Sequence, residues 1–224
     1  VEEGVRNAAN VVIDNGRIVS ITQGELSEHD GTIIDLNGAY LLPGLWDVHM
    51  HLEYPRIPDA TTAQRTTQYI YNASQGLIEA GVTALRTGGT ADFIDVALRD
   101  AFASGKLLGP RIFAAGWFLT TTAGHFLTSG AALEVDGADG FAKVVREQIK
   151  AGVDHIKLNL TGGIMGPDWD RHWHSFYLSE EMEAAFTISH QRQYDVMAHA
   201  ANPDAVKAAL RHGAHSVEHG YIMD

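Results

Sequence analysis

The sequence contains no cysteine among its 224 residues. A disulfide framework and zinc binding by thiolates are therefore excluded, and a metal site has to use histidine, carboxylate or a modified lysine. Apolar runs are short, and none reaches the roughly 18 residues that a membrane-spanning helix needs. The opening stretch VEEGVRNAAN also lacks the basic and apolar segments of a signal peptide. We expect a cytoplasmic protein without a membrane partner, and the missing initial Met predicts that an upstream piece is absent.

Basic residues are also scarce. Lys and Arg number 16 against 28 Asp and Glu, which gives a formal net charge of −12. Because this charge repels phosphate backbones, nucleic acid is not an expected partner. What the chain does have is an apolar fraction of 45%, which at this length is enough for a buried core.

A small β region is predicted at the start of the chain. The runs NVVID and RIVSIT flank Asn15 and Gly16, a pair that favours a two-residue hairpin turn between β-branched strands. The stretch GTIIDLNGAYLLPG follows after a polar link and is assigned to the same region. We therefore predict that residues 1–43 form part of a small β domain.

From Gly44 onward, short apolar segments alternate with helical stretches. The apolar segments are LWDVHMHL, VTALRTGG, RIFAAGW, HIKLNLTGG, DVMAHA and SVEHG. Helices are predicted between them at residues 61–80, 92–104, 139–151, 179–192 and 203–212. This alternation favours βα units and a parallel sheet, so the fold class is α/β. Residues 44–224 are predicted to form about six units of a (β/α)8 TIM barrel, which when complete takes ~250 residues.

The helix boundaries carry their own signals. Ser179 and Asn202 are predicted N-caps, because such side chains accept hydrogen bonds from the first helical turn. Pro203 suits the first helical position after Asn202. Three glycines fall just past a helix, where a C-terminal cap belongs: Gly81, Gly152 and Gly213.

Nitrogen-bearing side chains recur near the ends of the predicted strands. His49 and His51 are two apart in the first segment, so both point the same way from an extended strand. Lys157 lies in the fourth segment, His199 ends the fifth, and His219 ends the sixth. Because parallel barrel strands all end on one rim, where catalytic groups lie, we expect these side chains to meet there.

Lys157 raises a question of charge. An unpaired buried lysine among imidazoles would be costly, whereas a carbamate formed on it by carbon dioxide would be an anion able to bridge two metal ions. Two alternatives to a metal site stay open. The Lys157 side chain reaches solvent, and His49 and His51 are core histidines whose hydrogen bonds are satisfied within the protein.

Four segments together resemble a known family. They are PGLWDVHMH (Pro43–His51), IKLNLTGG (Ile156–Gly163), MAHA (Met197–Ala200) and VEHG (Val217–Gly220). In this order they are similar to the metal-dependent amidohydrolase superfamily. The nearer likeness is to the imidazolonepropionase-like and prolidase-like branch, whose dipeptidases act on Xaa-Pro or Xaa-Arg and whose third strand precedes a Gly-His loop resembling TTAGHF here.

The resemblance implies a binuclear metal centre. His49 and His51 would bind the more buried ion, His199 and His219 the more exposed one, and carboxylated Lys157 would bridge them. Zinc suits such ligands best, although manganese, iron or cobalt also fit. The implied reaction is attack of a metal-bridging hydroxide on the amide carbonyl of a dipeptide, an N-acyl amino acid or a cyclic amide. A small β-sandwich domain before the barrel and a homo-oligomer at full length are implied as well.

One family residue has no counterpart here. The family takes a metal-binding Asp that also shuttles the proton from the end of the eighth strand, whereas this chain ends soon after the sixth. Asp224 lies four positions beyond Gly220 and cannot be that group. The sequence is therefore predicted to be an incomplete and, by itself, inactive fragment.

Other residues at the same rim are candidate contacts for a small amide or dipeptide substrate. His125 follows the third strand, and Tyr221 is expected to orient a carbonyl or carboxylate unless it only packs there. Arg86 follows the second strand and is predicted either to bind an acidic group or to form a structural ion pair. His172 and His174 form a second His-x-His motif, but they lie in a Pro, Asp and Trp-rich loop that we interpret as a lid or pocket wall.

Two other functions stay open. A barrel of this family without catalysis would serve as a binding or assembly scaffold, although the retention of all visible ligand positions argues against it. Alternatively, the metals are kept and the reaction is deamination or ester hydrolysis. Deaminases of the superfamily generally lack the bridging lysine, so Lys157 argues against deamination.

Overall fold

The computed structural model of the chain describes residues 9–24 and 31–222. The chain divides into two compact units, Val1–Pro43 and Gly44–Asp224. Among the described residues, no helix combines the length and apolar character that crossing a bilayer requires.

The first unit contains an antiparallel hairpin. Strand β1 (Ala9–Asp14) pairs with β2 (Arg17–Gln23). The two residues between them, Asn15 and Gly16, have positive φ angles of 47° and 73°, which suit a tight hairpin turn. The hairpin prediction is confirmed.

The remainder of this unit differs from the prediction. Residues 31–44 contain no strand, and Ile33, Ile34 and Leu42 are more than two-thirds exposed. The expectation of β structure in this stretch is wrong, because a strand forms only where a neighbour pairs with its backbone, and the described residues offer none. The β-sandwich stays a prediction.

The second unit alternates strands and helices. Its strands are β3 (Leu45–Met50), β4 (Val82–Thr87), β5 (Arg111–Phe113), β6 (Phe118–Thr120), β7 (Ala132–Glu134), β8 (His155–Asn159), β9 (Asp195–Ala200) and β10 (Ser216–His219). Its helices are α1 (Thr62–Ala80), α2 (Ile94–Ala103), α3 (Ala138–Ala151), α4 (Ser179–Gln191) and α5 (Pro203–Arg211), with short 3₁₀ turns at Ala91–Phe93 and Leu127–Ser129. All five predicted helices are present, and their ends lie within two residues of those expected.

The strands of this unit form two parallel sheets. One has the order β3-β4-β5, and the other β10-β9-β8-β6-β7. They approach each other just after β5, where the Ala114 carbonyl accepts a hydrogen bond of 2.7 Å from the Asp154 amide before β8. The α/β class with parallel sheets is confirmed, and an eight-stranded barrel stays a prediction. Strands β6 and β7 have no predicted counterpart, because three residues are too few to show a period.

The core explains how β8 presents its polar side chains. Ile156 and Leu158 belong to a fully buried cluster with Phe141 of α3 and Phe186 of α4. Since side chains alternate along a strand, Lys157 faces the opposite side, although all of β8 is buried. The apolar face toward the helices thus directs Lys157 to the interior side of the sheet.

The helix caps are mostly as expected. Gly81 and Gly152 end α1 and α3 in the left-handed region, with φ angles of 69° and 90°, and Asn202 accepts a hydrogen bond of 2.9 Å from the Ala205 amide. Ser179 is not an N-cap, because it is already the first residue of α4.

The start of α4 is held by a carboxylate instead. Glu181 accepts hydrogen bonds from the amides of Leu178 at 2.8 Å and Gly137 at 2.7 Å. Because Gly137 precedes α3, this single side chain satisfies amides at the beginnings of two helices.

Candidate active site

Four histidines meet where the parallel strands end. The ring centroids of His49 and His51 are 5.2 Å apart, and those of His49 and His219 are 5.0 Å apart. His199 continues the series, 4.4 Å from His219. The rings come from β3, the residue just after it, β9 and β10, so residues 170 positions apart in the sequence form one histidine cluster.

His49 and His51 turn the same ring nitrogen toward each other. Their Nε2 atoms are 3.3 Å apart, while His49 Nδ1 lies 2.7 Å from Glu218 Oε2. His51 Nδ1 lies 3.2 Å from Glu53 Oε1, an ion-pair distance without hydrogen-bond alignment. Because a carboxylate only accepts, these contacts favour a hydrogen on each Nδ1 and leave each Nε2 with a lone pair.

Two facing lone pairs repel unless a cation or a shared proton lies between them. Burial lowers the pKa of His49, and the charges of Lys157 and His51 lower it further, although Glu218 opposes the shift. A neutral His49 ring is therefore favoured, and its Nε2 lone pair can bind a cation.

Lys157 carries a buried donor without a partner. Its side chain is 2% exposed, and Nζ has no hydrogen-bond partner in the described structure. Burial lowers the pKa of the amine to about 7, with Glu218 opposing this shift and Arg86 adding to it. The lysine charge also lowers the pKa values of His199 and His219, so the amine lies within electrostatic range of both.

His199 and His219 are oriented differently from the first pair. His199 is 3% exposed and donates from Nε2 to the Gly162 carbonyl at 3.0 Å, which leaves Nδ1 with the lone pair. Burial holds its pKa well below the usual value. Burial and the Lys157 charge lower the pKa of His219 to about 4, so both rings are neutral near pH 7.

The backbone at His219 is strained. Its φ of 75° is in the left-handed region, which costs a non-glycine residue roughly 1–2 kcal/mol. Such conformations cluster at functional sites, where the surrounding structure enforces them.

Two of the three predicted substrate contacts lie against this cluster. The His125 ring stacks on His199 with centroids 4.1 Å apart. The Tyr221 ring lies 5.3 Å from His219 and is 45% exposed. Their placement suits contact with a bound molecule, and their roles stay predictions.

Arg86, the third predicted contact, already has hydrogen-bond partners within the protein. Its guanidinium donates to Glu218 Oε1 at 2.8 Å, to Ser216 Oγ at 3.1 Å and to the Val48 carbonyl at 2.8 Å. This is the structural ion pair that the sequence left open as the alternative to substrate binding.

Asp170 is a site residue that the sequence did not single out. It is 2% exposed, and its carboxylate lies 2.7 Å from His125 Nδ1. It also accepts from the amides of Phe126 at 3.1 Å and Gly163 at 3.2 Å. Asp170 lies in the loop between β8 and α4, where no strand or helix period marks a position as inward-facing.

Glu53 and Glu218 were missed as well, although each gave a signal. Both are charged residues in or beside an apolar strand, and their exposures are 3% and 8%. A carboxylate in such a place needs a buried partner.

The second His-x-His motif lies in the loop between β8 and α4. The His172 ring lies 6.5 Å from that of Tyr221, and His174 Nδ1 lies 3.1 Å from the Trp169 carbonyl.

Two glycines let the loops pass close to the histidines. A Cβ at Gly88 would lie 2.8 Å from His51 Cε1 and 3.1 Å from His49 Nε2, and one at Gly163 would lie 2.4 Å from His125 Cε1. Larger residues at these two positions would displace the rings, which explains the glycine after β4 and in the loop after β8.

Comparison with known proteins identifies the family of the chain. Residues 40–224 match the Amidohydrolase family. The chain belongs to this family. The matched region contains His49, His51, Lys157, His199 and His219, and the family prediction is confirmed.

Relatives of this amidohydrolase chain include characterised enzymes. Ochratoxinase of Aspergillus niger is 26% identical over 258 aligned positions, which cover 99% of this chain and 52% of that protein. An enamidase of Eubacterium barkeri is 33% identical over 95 positions, 42% of this chain and 23% of the enzyme. The chain spans about half the length of the ochratoxinase it matches.

Solved structures show the same fold. A prolidase complexed with N-methylphosphonate-L-proline superposes with a TM-score of 0.86 and 29% identity, covering 96% of this chain and 57% of the prolidase chain. An Xaa-Pro dipeptidase with methionine in its active site gives a TM-score of 0.81 at 30% identity, with the same coverage of 96% and 57%. The predicted likeness to prolidase-like amidohydrolases is confirmed.

Proposed function

We propose that the protein is a metal-dependent hydrolase that cleaves an amide C–N bond in a dipeptide, an N-acyl amino acid or a cyclic amide. Two divalent ions, zinc by preference, are held by His49, His51, Lys157, His199 and His219. The observation that carries this proposal is the pair of Nε2 atoms on His49 and His51, 3.3 Å apart, with a carboxylate beside each Nδ1.

The spacing of these two nitrogens fits a metal ion. Two imidazole nitrogens bound to a tetrahedral zinc, each at 2.0–2.1 Å, are about 3.3–3.4 Å apart. The observed separation of 3.3 Å is within this range. Among the described residues, no three His, Asp or Glu side chains already form a complete binding group, so the histidine pair requires a further ligand.

Lys157 supplies that ligand if its amine is carboxylated. With a pKa of about 7, a substantial fraction of the amine is neutral near pH 7. The neutral Nζ forms a bond to the carbon of carbon dioxide and loses a proton, which gives a carbamate anion. Its oxygens are suitable ligands, and the nitrogen, which has no hydrogen-bond partner, keeps a single N–H.

The bound ions would polarise the substrate carbonyl and lower the pKa of water at the site. The chain's own residues orient the substrate. Asp170 faces His125 Nδ1, so a neutral His125 presents the Nε2 lone pair, which accepts a hydrogen bond from a substrate N–H or O–H. Phe126 and Tyr54, with ring centroids 6.1 Å apart, form an aromatic wall beside His51 for an apolar part of the substrate.

The relatives support amide substrates. Two structurally similar proteins are a prolidase and an Xaa-Pro dipeptidase, at 29% and 30% identity. Dipeptides that end in proline are therefore the first substrates to test. Ochratoxinase and enamidase support a search among other amides as well.

The test compares metal content and turnover in the full-length protein. We expect about two ions per chain and hydrolysis of an Xaa-Pro dipeptide, with both reduced by His49→Ala. His215→Ala is the matched control, because the His215 side chain is 61% exposed and pairs with Asp195. It should change neither quantity.

Three results would contradict the proposal or redirect it. Fewer than one ion per chain, with His49→Ala changing neither metal content nor turnover, would exclude a metal hydrolase. Full metal content without turnover of any substrate would favour the scaffold hypothesis. Ammonia release from an aminopurine without amide cleavage would favour a deaminase.

A further inference from the structure

Arg86 and Glu218 form an ion pair beside His49 that the proposed reaction does not use. The side chains of Arg86 and Glu218 are 22% and 10% exposed, and their nearest charged atoms are 2.8 Å apart. Both lie among the ends of β3, β4 and β10. A pair this far from solvent needs several hydrogen bonds to offset the loss of hydration.

Every polar atom of this pair has a fixed partner. Glu218 Oε1 accepts from Arg86 and from the Ser216 hydroxyl, the latter at 2.7 Å. Arg86 also donates to Ser216 Oγ and to the Val48 carbonyl, so the guanidinium on β4 contacts both β3 and β10. The position of the carboxylate is therefore determined from three strands.

This arrangement leaves one oxygen for His49. With Oε1 occupied by Arg86 and Ser216, Glu218 Oε2 points at His49 Nδ1 at 2.7 Å. A guanidinium keeps its proton in proteins, so Glu218 stays an ionised acceptor beside it. The hydrogen of a neutral His49 then lies on Nδ1, and its Nε2 lone pair faces His51.

We infer that Arg86 and Glu218 are positioning residues, which set the tautomer and ring direction of His49 and thereby determine how tightly the first metal ion binds. This inference rests on the proposed metal site. It gives Arg86 a role other than substrate contact. Partners of this kind typically change metal affinity about 10- to 100-fold when they are replaced.

The experiment measures zinc affinity of the full-length protein and of Glu218→Gln, Arg86→Lys and the double variant. Glutamine has one acceptor oxygen and replaces the other with an NH2 donor group, so it cannot accept from both His49 and Arg86 in the present geometry. Lysine keeps the charge of Arg86 but cannot make its three directed contacts. We expect each single variant to bind zinc about 10- to 100-fold more weakly, and the double variant to bind no more weakly than the worse single one, since coupled residues are not additive.

Matched controls lie on the exposed face of α3. Glu147, whose side chain is 56% exposed, is replaced by Gln, and the exposed Arg146, which donates to the Ala142 carbonyl, is replaced by Lys. Both controls should bind zinc as the unmodified protein does. Circular dichroism checks that each variant is folded.

A second measurement separates the inference from the proposed function. Nitrogen-15 NMR of the metal-free protein should show His49 with its hydrogen on Nδ1, and a mixture of tautomers in Glu218→Gln. If the unmodified protein binds no zinc, the proposed metal site fails, while the tautomer still reports whether Glu218 positions His49.

Other outcomes would overturn the inference. One is an unchanged zinc affinity together with an unchanged His49 tautomer in both single variants. The other is an Arg86→Lys effect confined to the KM for substrate, which would show that Arg86 binds substrate. If Glu218→Gln does not fold, Ser216→Ala replaces it, because only a hydroxyl is lost. A smaller shift in the same direction is then expected, and no shift in Ser216→Ala or Arg86→Lys would contradict the proposal.

Discussion

The two sides of the histidine cluster hold their rings with different acceptors. On one side, His49 and His51 face carboxylates with Nδ1, and their side chains are 19% and 23% exposed. On the other side, His199 is 3% exposed and donates from Nε2 to a backbone carbonyl. The two partly exposed rings thus face buried carboxylates, and the buried His199 ring faces a neutral carbonyl.

The consequence for the rings is the same on both sides. Each acceptor faces the N–H of one ring nitrogen, so the other nitrogen of that ring keeps its lone pair. The difference lies in what holds the arrangement: ionic contacts on the His49 side, and deep burial beside the β8 loop on the His199 side. The two sides should therefore respond differently to substitution.

The charge of Lys157 acts on histidines of both sides, since it lowers the pKa values of His49, His199 and His219, and its removal should have the largest effect. In Lys157→Ala we expect the loss of metal from both sides and a fall in kcat/KM of more than about 1,000-fold, since several kcal/mol of charge stabilisation disappear. Metal analysis and kinetics of the full-length protein measure this. Lys150→Ala, at an exposed position in the last turn of α3, is the control. Unchanged metal content in Lys157→Ala would show that the two sides do not share this residue.

Substituting one histidine on each side should separate metal binding from stability. His51→Ala and His199→Ala are each expected to lower metal content. Only His199→Ala should also reduce the free energy of unfolding of the metal-free protein, by about 2 kcal/mol, because a fully packed side chain is lost. Urea unfolding of both metal-free variants tests this. Equal destabilisation would mean that the difference in exposure has no energetic consequence.

A smaller, pH-dependent effect is expected at Asp170, which contacts His125 beside His199. Burial raises the pKa of this carboxyl, but hydrogen bonds with His125 and with the amides of Phe126 and Gly163 outweigh burial, so the pKa is lowered. A lowered folded-state pKa adds stability above the unfolded-state pKa. That stability is lost as the pH falls through the folded-state pKa.

Asp170→Asn should therefore reduce the free energy of unfolding by about 1 kcal/mol at pH 7, and the difference should shrink in acid. Unfolding curves at neutral and acidic pH measure it. Asp168→Asn is a matched control in the same loop, because the Asp168 side chain is 99% exposed. A difference that is constant with pH would show that the Asp170 charge is not involved.

Most of the helices and parallel strands could be predicted from the sequence, because their signals are local. Apolar periodicity located α1 to α5, and Asn202 and Gly152 marked ends that the structure confirms. The errors occurred where a local signal competes with a distant partner. Residues 31–44 resemble a strand but have no described neighbour to pair with, and Ser179 is already the first residue of α4, where Glu181 accepts from the Leu178 amide and from the distant Gly137 amide.

For the candidate site, the sequence by itself determined which residues lie at or near the carboxyl ends of the parallel strands. Parallel βα units place the ends of all strands on one side, so alternation and spacing were enough to select His49, His51, Lys157, His199 and His219. Only the tertiary structure decided which ring nitrogen is free in His49, His51 and His199. Glu218 is 169 residues from His49 along the chain, and Gly162 is 37 residues from His199. Tautomers depend on such contacts between distant segments, and periodicity carries no information about them.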